Sequence, residues 1–224
     1  MPEPGARAPV KIEGLIFDMD GVVADTVELH YRSWQRLADE EGHPFSREAN
    51  EALLGRTREE ALEVWLGGKP AAPEQREALL RRKNGYFLEG LEGLGPADLL
   101  PGVGEVLREA HARRVPLGLA SSSRNARQVC ERLGVLHLFT AFADGGSVVN
   151  AKPAPDVFLW VAGRLGLHPA RCLVLEDSGA GVRAARAGGF RVLGLGEAGR
   201  LGDAHFVRSS LAGVTLDELL DAGK

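Results

Sequence analysis

One rhythm constrains the fold of this chain more than any other feature. From residue 115 to residue 195 a short apolar run is followed by a polar or glycine-rich turn and then by a helical pattern, again and again. The apolar runs over 115–120, 139–143, 172–175 and 190–195 read as strands, and 125–133, 156–165 and 181–187 read as helices. Strands joined through helices are parallel, and the helices must cover both faces of the sheet. A further apolar run over 12–17 adds a strand, 205–207 adds a short one, and 216–220 a last helical turn. The expected fold is α/β, with a doubly wound, Rossmann-like parallel sheet as its core.

The rhythm is broken once. After Thr26 the pattern is helical over 29–42, 48–54, 58–66 and 73–91, punctuated by Gly42, by Gly55 and by Gly67-Gly68-Lys69-Pro70. A block of this length is too long for an ordinary connection. It reads as an inserted all-helical cap over 27–97, leaving 1–26 and 98–224 as the catalytic core. Pro101-Gly102 then opens a helix over 103–113.

Chemistry concentrates where strands end, because ligands of open α/β sheets bind at the carboxyl ends of the strands. Strand 12–17 runs into Asp18-Met19-Asp20-Gly21, two like charges that need a cation or a shared proton. An extended backbone points both carboxylates the same way. Three further strand ends carry polar groups: Ser121-Ser122, the loop bearing Lys152, and Glu176-Asp177. Singly, each has a plain structural account as a helix cap, an acidic turn or a solvated lysine. Together at one end of one sheet they fit phosphoryl transfer through an aspartyl phosphate, which is chiefly positioning and charge neutralisation.

In that scheme Asp18 attacks phosphorus and Asp20 carries the proton of the leaving or attacking hydroxyl. The expected cofactor is Mg²⁺, held by Asp18, the backbone carbonyl of Asp20, and Asp177, with Glu176 close by. Lys152 offsets phosphate charge and Ser121 donates a hydrogen bond to it.

Composition excludes other classes. A net charge of -4 gives no case for nucleic-acid binding, and no apolar run reaches membrane-spanning length. Residues 1–10 lack a hydrophobic signal core and read as a loose leader on a cytoplasmic protein. Cys130 and Cys172 read as reduced core residues. A calcium loop starting at Asp18 fails, because Val22 and Leu29 stand where acidic ligands are needed. Gly194-x-Gly196-x-x-Gly199 formally matches a dinucleotide fingerprint, but Arg200 to Asp203, with Gly202 among them, make a poor helix. Arg81-Arg82-Lys83 by itself reads as a solvated helix face, and His30 as a packed core histidine. A non-catalytic binding protein on the same scaffold is the alternative of a different class.

The motif order Asp18-x-Asp20-Gly21, Ser121, Lys152-Pro153, Glu176-Asp177 resembles that of the haloacid dehalogenase-like hydrolases. Within them, the segments over 17–26, 82–84, 96–102, 119–125, 151–156 and 175–181 resemble the β-phosphoglucomutase family. The resemblance implies interconversion of β-D-glucose 1-phosphate and glucose 6-phosphate through an aspartyl-phosphate enzyme and a 1,6-bisphosphate. A sugar-phosphate or phosphoglycolate phosphatase is the alternative. It further implies that Arg58, Ser123, Arg124 and Asn125 hold the phosphate not being transferred. His30 and Lys83 would link cap closure to Asp20, and Thr26, Trp34, Gly55 and Ser122 would complete the substrate site. The expected partner is a small-molecule sugar phosphate bound by a monomer. Leu54, in place of a lysine, and Arg56, in place of an apolar residue, depart from the family pattern and bear on which sugar is taken.

Overall fold

The computed structural model describes residues 11–223, so the leader expected over 1–10 lies outside the described residues. Six strands form one sheet: β1 (Gly14–Phe17), β2 (Leu117–Ala120), β3 (Ala141–Ala143), β4 (Cys172–Glu176), β5 (Arg191–Leu195) and β6 (Phe206–Arg208). Their order is β3-β2-β1-β4-β5-β6, and every neighbouring pair is parallel. From β1 the chain winds outward through β2 and β3, then crosses back to β4. The topological switch, and hence the crevice, falls between β1 and β4. Asp18 and Glu176 close these two strands.

Each strand buries both faces, which is why it reads as a continuous apolar run. Along β1, Leu15 and Phe17 enter one hydrophobic cluster and Ile16 enters the other. Helices α5 (Val103–Ala112), α6 (Ala126–Arg132) and α9 (Leu216–Asp221) cover the first face; α7 (Asp156–Leu165) and α8 (Gly179–Ala187) cover the second. The hydrogen-bonded strands are shorter than the apolar runs at several ends. Ile12 is fully buried yet precedes β1, and Phe139 follows a 3-10 turn over Leu136–Leu138. Burial and ladder pairing are separate demands, and the apolar pattern reports only the first. Cys130 and Cys172 lie on opposite faces as free, buried thiols, pushed up to about 12 by burial.

Four helices lie between β1 and α5: α1 (Thr26–Glu41), α2 (Arg47–Glu51), α3 (Arg58–Leu66) and α4 (Pro73–Gly90). They bury an apolar cluster of their own around Leu37, Leu62, Trp34 and Trp65, the two indoles stacked 5.9 Å apart. Caps set their ends: Asp25 accepts from Glu28 N, Thr57 and Glu60 form a capping box, and Gly42 closes α1 in the left-handed region. Helix α1 begins at Thr26, one residue before the expected boundary. Helix α2 ends at Glu51, short of the expected 54, and the chain turns through Gly55. Gly194 lies within β5, and Gly196 and Gly199 lead from it to β6 with no helix between, so the dinucleotide fingerprint lacks the helix it requires. The triplet 81–83 is not uniformly the solvated face that it reads as by itself. Arg81 and Arg82 pair with Glu77, Glu40 and Glu41, but Lys83 turns inward and is buried.

Candidate active site

A cleft of about 850 Å³ lies between the strand ends and the four-helix block. Asp18 and Asp20 both line it, as expected from their spacing, but they are held differently. The Asp18 N–H donates to Leu175 O, which ties the residue to β4. Its buried carboxylate accepts from Lys152 Nζ at 2.7 Å. Lys152 also lies 3.6 Å from Glu176 and donates to Ala120 O. The chain can turn after Asp20 only because residue 21 is glycine. Its φ is +73°, and a Cβ there would stand 2.0 Å from Asp177 Oδ2.

Asp18, Glu176 and Asp177 each offer an oxygen to one group in which all these atoms lie within 4.8 Å of one another. Ser178, which caps α8, donates to Glu176 Oε1 at 2.9 Å and accepts from Gly181 N. A Cβ at Gly181 would collide with that same carboxylate, so the first turn of α8 is built around Glu176. Burial raises all three carboxyl groups above their usual range, against the opposing pull of Lys152 on Asp18 and Glu176. Glu176 is pushed up to about 8, and the neighbouring carboxylates add to the rise at Asp177. Burial would depress Lys152, but the charges of Asp18 and Glu176 outweigh it and raise it. Three acidic groups around one buried lysine leave negative charge uncompensated. All the donors are carboxylate oxygens, which is the chemistry that suits a hard divalent cation such as Mg²⁺.

The Asp20 carboxylate faces the helical block. It accepts from Thr26 Oγ1 at 2.5 Å and lies 3.4 Å from His30 Nε2. Lys83 Nζ lies 2.6 Å from His30 Nδ1. Lysine can only donate when charged, so Nδ1 is the acceptor and Nε2–H points at Asp20. Burial pushes Asp20 up, but the hydrogen bonds and charge of His30 and the Thr26 hydroxyl outweigh it, and the net shift is downward. His30, stacked on Phe87 at 4.2 Å, is lowered by burial and by Lys83. Lys83 is lowered to about 7 by burial. Thr26 has no exposure and does not line the cleft; it holds Asp20. Trp34 lines the cleft from α1 while filling the cluster of the helical block.

Arg58, Ser122, Ser123, Arg124 and Asn125 also line the cleft. Ser122 Oγ donates to the carbonyl of Gly55 at 2.9 Å, and Asn125 Nδ2 donates to Asn84 Oδ1 at 2.9 Å. Arg124 pairs with Glu59 at 3.1 Å. Buried Ser121 accepts from Ser123 N with its Oγ. Half-buried Arg58 is lowered by burial and by the charge of Arg124, and among the described residues it forms no ion pair. Every residue expected from the sequence therefore gathers at this cleft or directly behind it. Three that sequence reasoning did not single out join them. Ser178 comes directly after Glu176-Asp177 and was legible as a cap; Asn84 adjoins Lys83; Asn50 has no sequence signal at all.

Comparison with known proteins agrees with this geometry. Residues 12–189 match the family described as haloacid dehalogenase-like hydrolase. The chain is 37% identical over 212 residues to a beta-phosphoglucomutase of Bacillus subtilis, covering 93% of this chain and 94% of that one. It is 31% identical over 219 residues to a phosphorylated carbohydrates phosphatase of Thermotoga maritima, covering 95% and 99%. The crystal structure of a beta-phosphoglucomutase from Clostridium difficile superposes with a TM-score of 0.91 at 31% identity, covering 95% and 97%. On the sheet, the strand-end carboxylates and these relatives together, the chain belongs to the haloacid dehalogenase-like hydrolases.

Proposed function

We propose that this protein is a β-phosphoglucomutase, interconverting β-D-glucose 1-phosphate and glucose 6-phosphate, with the helical block over 27–97 acting as its cap. One observation carries this reading. Arg58, half-buried and without an ion-pair partner among the described residues, stands beside Arg124 on the wall of the same cleft that holds the buried carboxylates. A phosphatase needs one phosphate site; a mutase working through a bisphosphate needs a second anion site.

In the first half-reaction a carboxylate oxygen of Asp18 forms a bond to phosphorus as the ester P–O bond breaks. The departing sugar oxygen takes a proton from Asp20. In the reverse sense Asp20 accepts that proton from the attacking hydroxyl, and its lowered pKa keeps the carboxylate ionised for that step. Lys152 holds one Asp18 oxygen and screens the phosphoryl charge. When bound, Mg²⁺ supplies charge neutralisation between Asp18 and the incoming phosphate, and Asp18, Asp177, Glu176 and the Asp20 carbonyl are the groups that would hold it. His30, Lys83 and Thr26 fix the Asp20 carboxylate. Because His30 and Lys83 belong to the helical block, Asp20 is set only when that block is closed. The Ser122–Gly55 and Asn125–Asn84 hydrogen bonds tie the segment over 122–125 to the helical block in that state.

A second reading, a sugar-phosphate phosphatase, is favoured by the 31% identity to the Thermotoga maritima phosphatase and by Leu54 and Arg56, which line the cleft. The two readings part on one assay. Purified protein with Mg²⁺ and a trace of glucose 1,6-bisphosphate is given β-glucose 1-phosphate, and glucose 6-phosphate and inorganic phosphate are measured together. A mutase yields isomerised product with little free phosphate. Stoichiometric phosphate release from every sugar phosphate tried leaves the phosphatase.

A further inference from the structure

Nine polar or charged residues are buried among the described residues, and eight have a hydrogen bond from their own side chain. The ninth is Asn50, only 6% exposed, in the last turn of α2. Its backbone N–H donates to Ser46 O and its carbonyl accepts from Leu53 N in the turn beyond α2, but its amide has no partner among the described residues. A buried amide without a partner is costly, and native interiors avoid it unless something else meets it. The indole N–H of Trp65 is sealed inside the helical cluster, without a partner among the described residues. The Asn50 amide is different: it is not sealed, and Asn50 lines the cleft. Trp34, Leu53, Leu54 and Leu80 line the same cleft. Apolar side chains with one amide among them suit a sugar ring, whose C–H faces are apolar and whose edge carries hydroxyls that both donate and accept.

We propose that Asn50 reads a ring hydroxyl of the substrate and so separates sugar phosphates from phosphate esters without a hydroxylated ring. This rests on the sugar-phosphate reading of the site. A site built to hydrogen-bond a hydroxyl discriminates strongly, because the amide is left unpaired when that hydroxyl is missing. It is a specificity determinant, separate from the carboxylates that do the chemistry.

The test uses Asn50→Leu, which keeps the branched shape, and Asn50→Ala, which rules out obstruction by the new side chain. Each is assayed on β-glucose 1-phosphate, its mono-deoxy analogues, and p-nitrophenyl phosphate. Both variants should lose about tenfold to a hundredfold in kcat/KM on the sugar, the worth of one hydrogen bond in such a site. The aryl ester should change less than about twofold. One deoxy analogue should be poor for wild type yet no poorer than the parent sugar for the variants. The melting temperature should hold in Asn50→Leu, since no bond within the protein is lost. Equal losses on sugar and aryl ester together with a fall in melting temperature would mean a structural role and overturn the inference. Wild type active on the sugar with Asn50→Leu equally active overturns it alone. Wild type active only on the aryl ester overturns the sugar-phosphate reading and this inference with it.

Discussion

Removal of Lys152 tests the electrostatic account of the site most directly. Among the described residues its Nζ is the single cation within ion-pair reach of Asp18 and Glu176, at 2.7 and 3.6 Å, and the side chain is 1% exposed. Lys152→Met keeps the length of the chain and deletes the charge. Breaking a buried ion pair by removing one partner costs about 3–5 kcal/mol, because the other charges stay buried and uncompensated. For a chain of this size each kcal/mol moves the melting temperature by about 2–4 °C, so the variant should melt roughly 6–20 °C lower. The loss should depend on pH in a definite sense. Burial raises the folded pKa of Asp18, Glu176 and Asp177, so the stability tied to their protonated forms is present below the ordinary carboxylate range. It is lost as pH rises through the raised values, which for Glu176 is about 8. The deficit of Lys152→Met should therefore be larger at pH 8.5 than at pH 5. Saturating Mg²⁺ should return part of it, about 2.7 kcal/mol at a hundred times the dissociation constant. The assay is a thermal melt by circular dichroism at both pH values, in EDTA and in Mg²⁺. A drop below about 2 °C in EDTA at pH 8.5, or the same drop at both pH values, refutes the claim that Lys152 neutralises a buried acidic cluster.

The same geometry sets three other outcomes. Asp20→Ala should lower turnover by roughly 10²–10⁴ while leaving Mg²⁺ affinity, measured by calorimetry, little changed; an unaltered rate removes Asp20 from proton transfer. Arg58→Ala should depress isomerisation of β-glucose 1-phosphate far more than hydrolysis of p-nitrophenyl phosphate, read as the ratio of the two kcat/KM values; an unchanged ratio would deny Arg58 the second phosphate. Lys83, lowered by burial to about 7, binds its proton more tightly unfolded than folded. Its burial penalty is full below pH 7 and fades as pH rises toward its ordinary value near 10.5, so wild type should gain on Lys83→Met between pH 6 and pH 9 in denaturant melts; parallel curves would contradict it.

Much of this molecule is legible in its amino-acid order alone. Strand and helix periodicity is local, so the sheet, the helical block and the strand ends bearing Asp18, Ser121, Lys152 and Glu176 could be read directly. A carboxylate at a strand end also announces itself, because the neighbours that position it, Gly21 and Ser178, lie within three residues. What the residue pattern by itself could not determine, and the family resemblance gave only as an expectation, is which atoms meet. His30 and Lys83 are 53 residues apart and Lys152 and Asp18 are 134, and only the packing of α1 on α4 and the winding of the sheet bring them within hydrogen-bond distance. The same packing made Lys83 a buried partner of His30 while its neighbours Arg81 and Arg82 remained on the surface. It turned Thr26 into a support for Asp20. It also left the Asn50 amide without a partner among the described residues. Periodicity records which residues are buried; whether a buried polar group is satisfied depends on atoms distant in the chain, and that is decided only when the helical block closes over the strand ends.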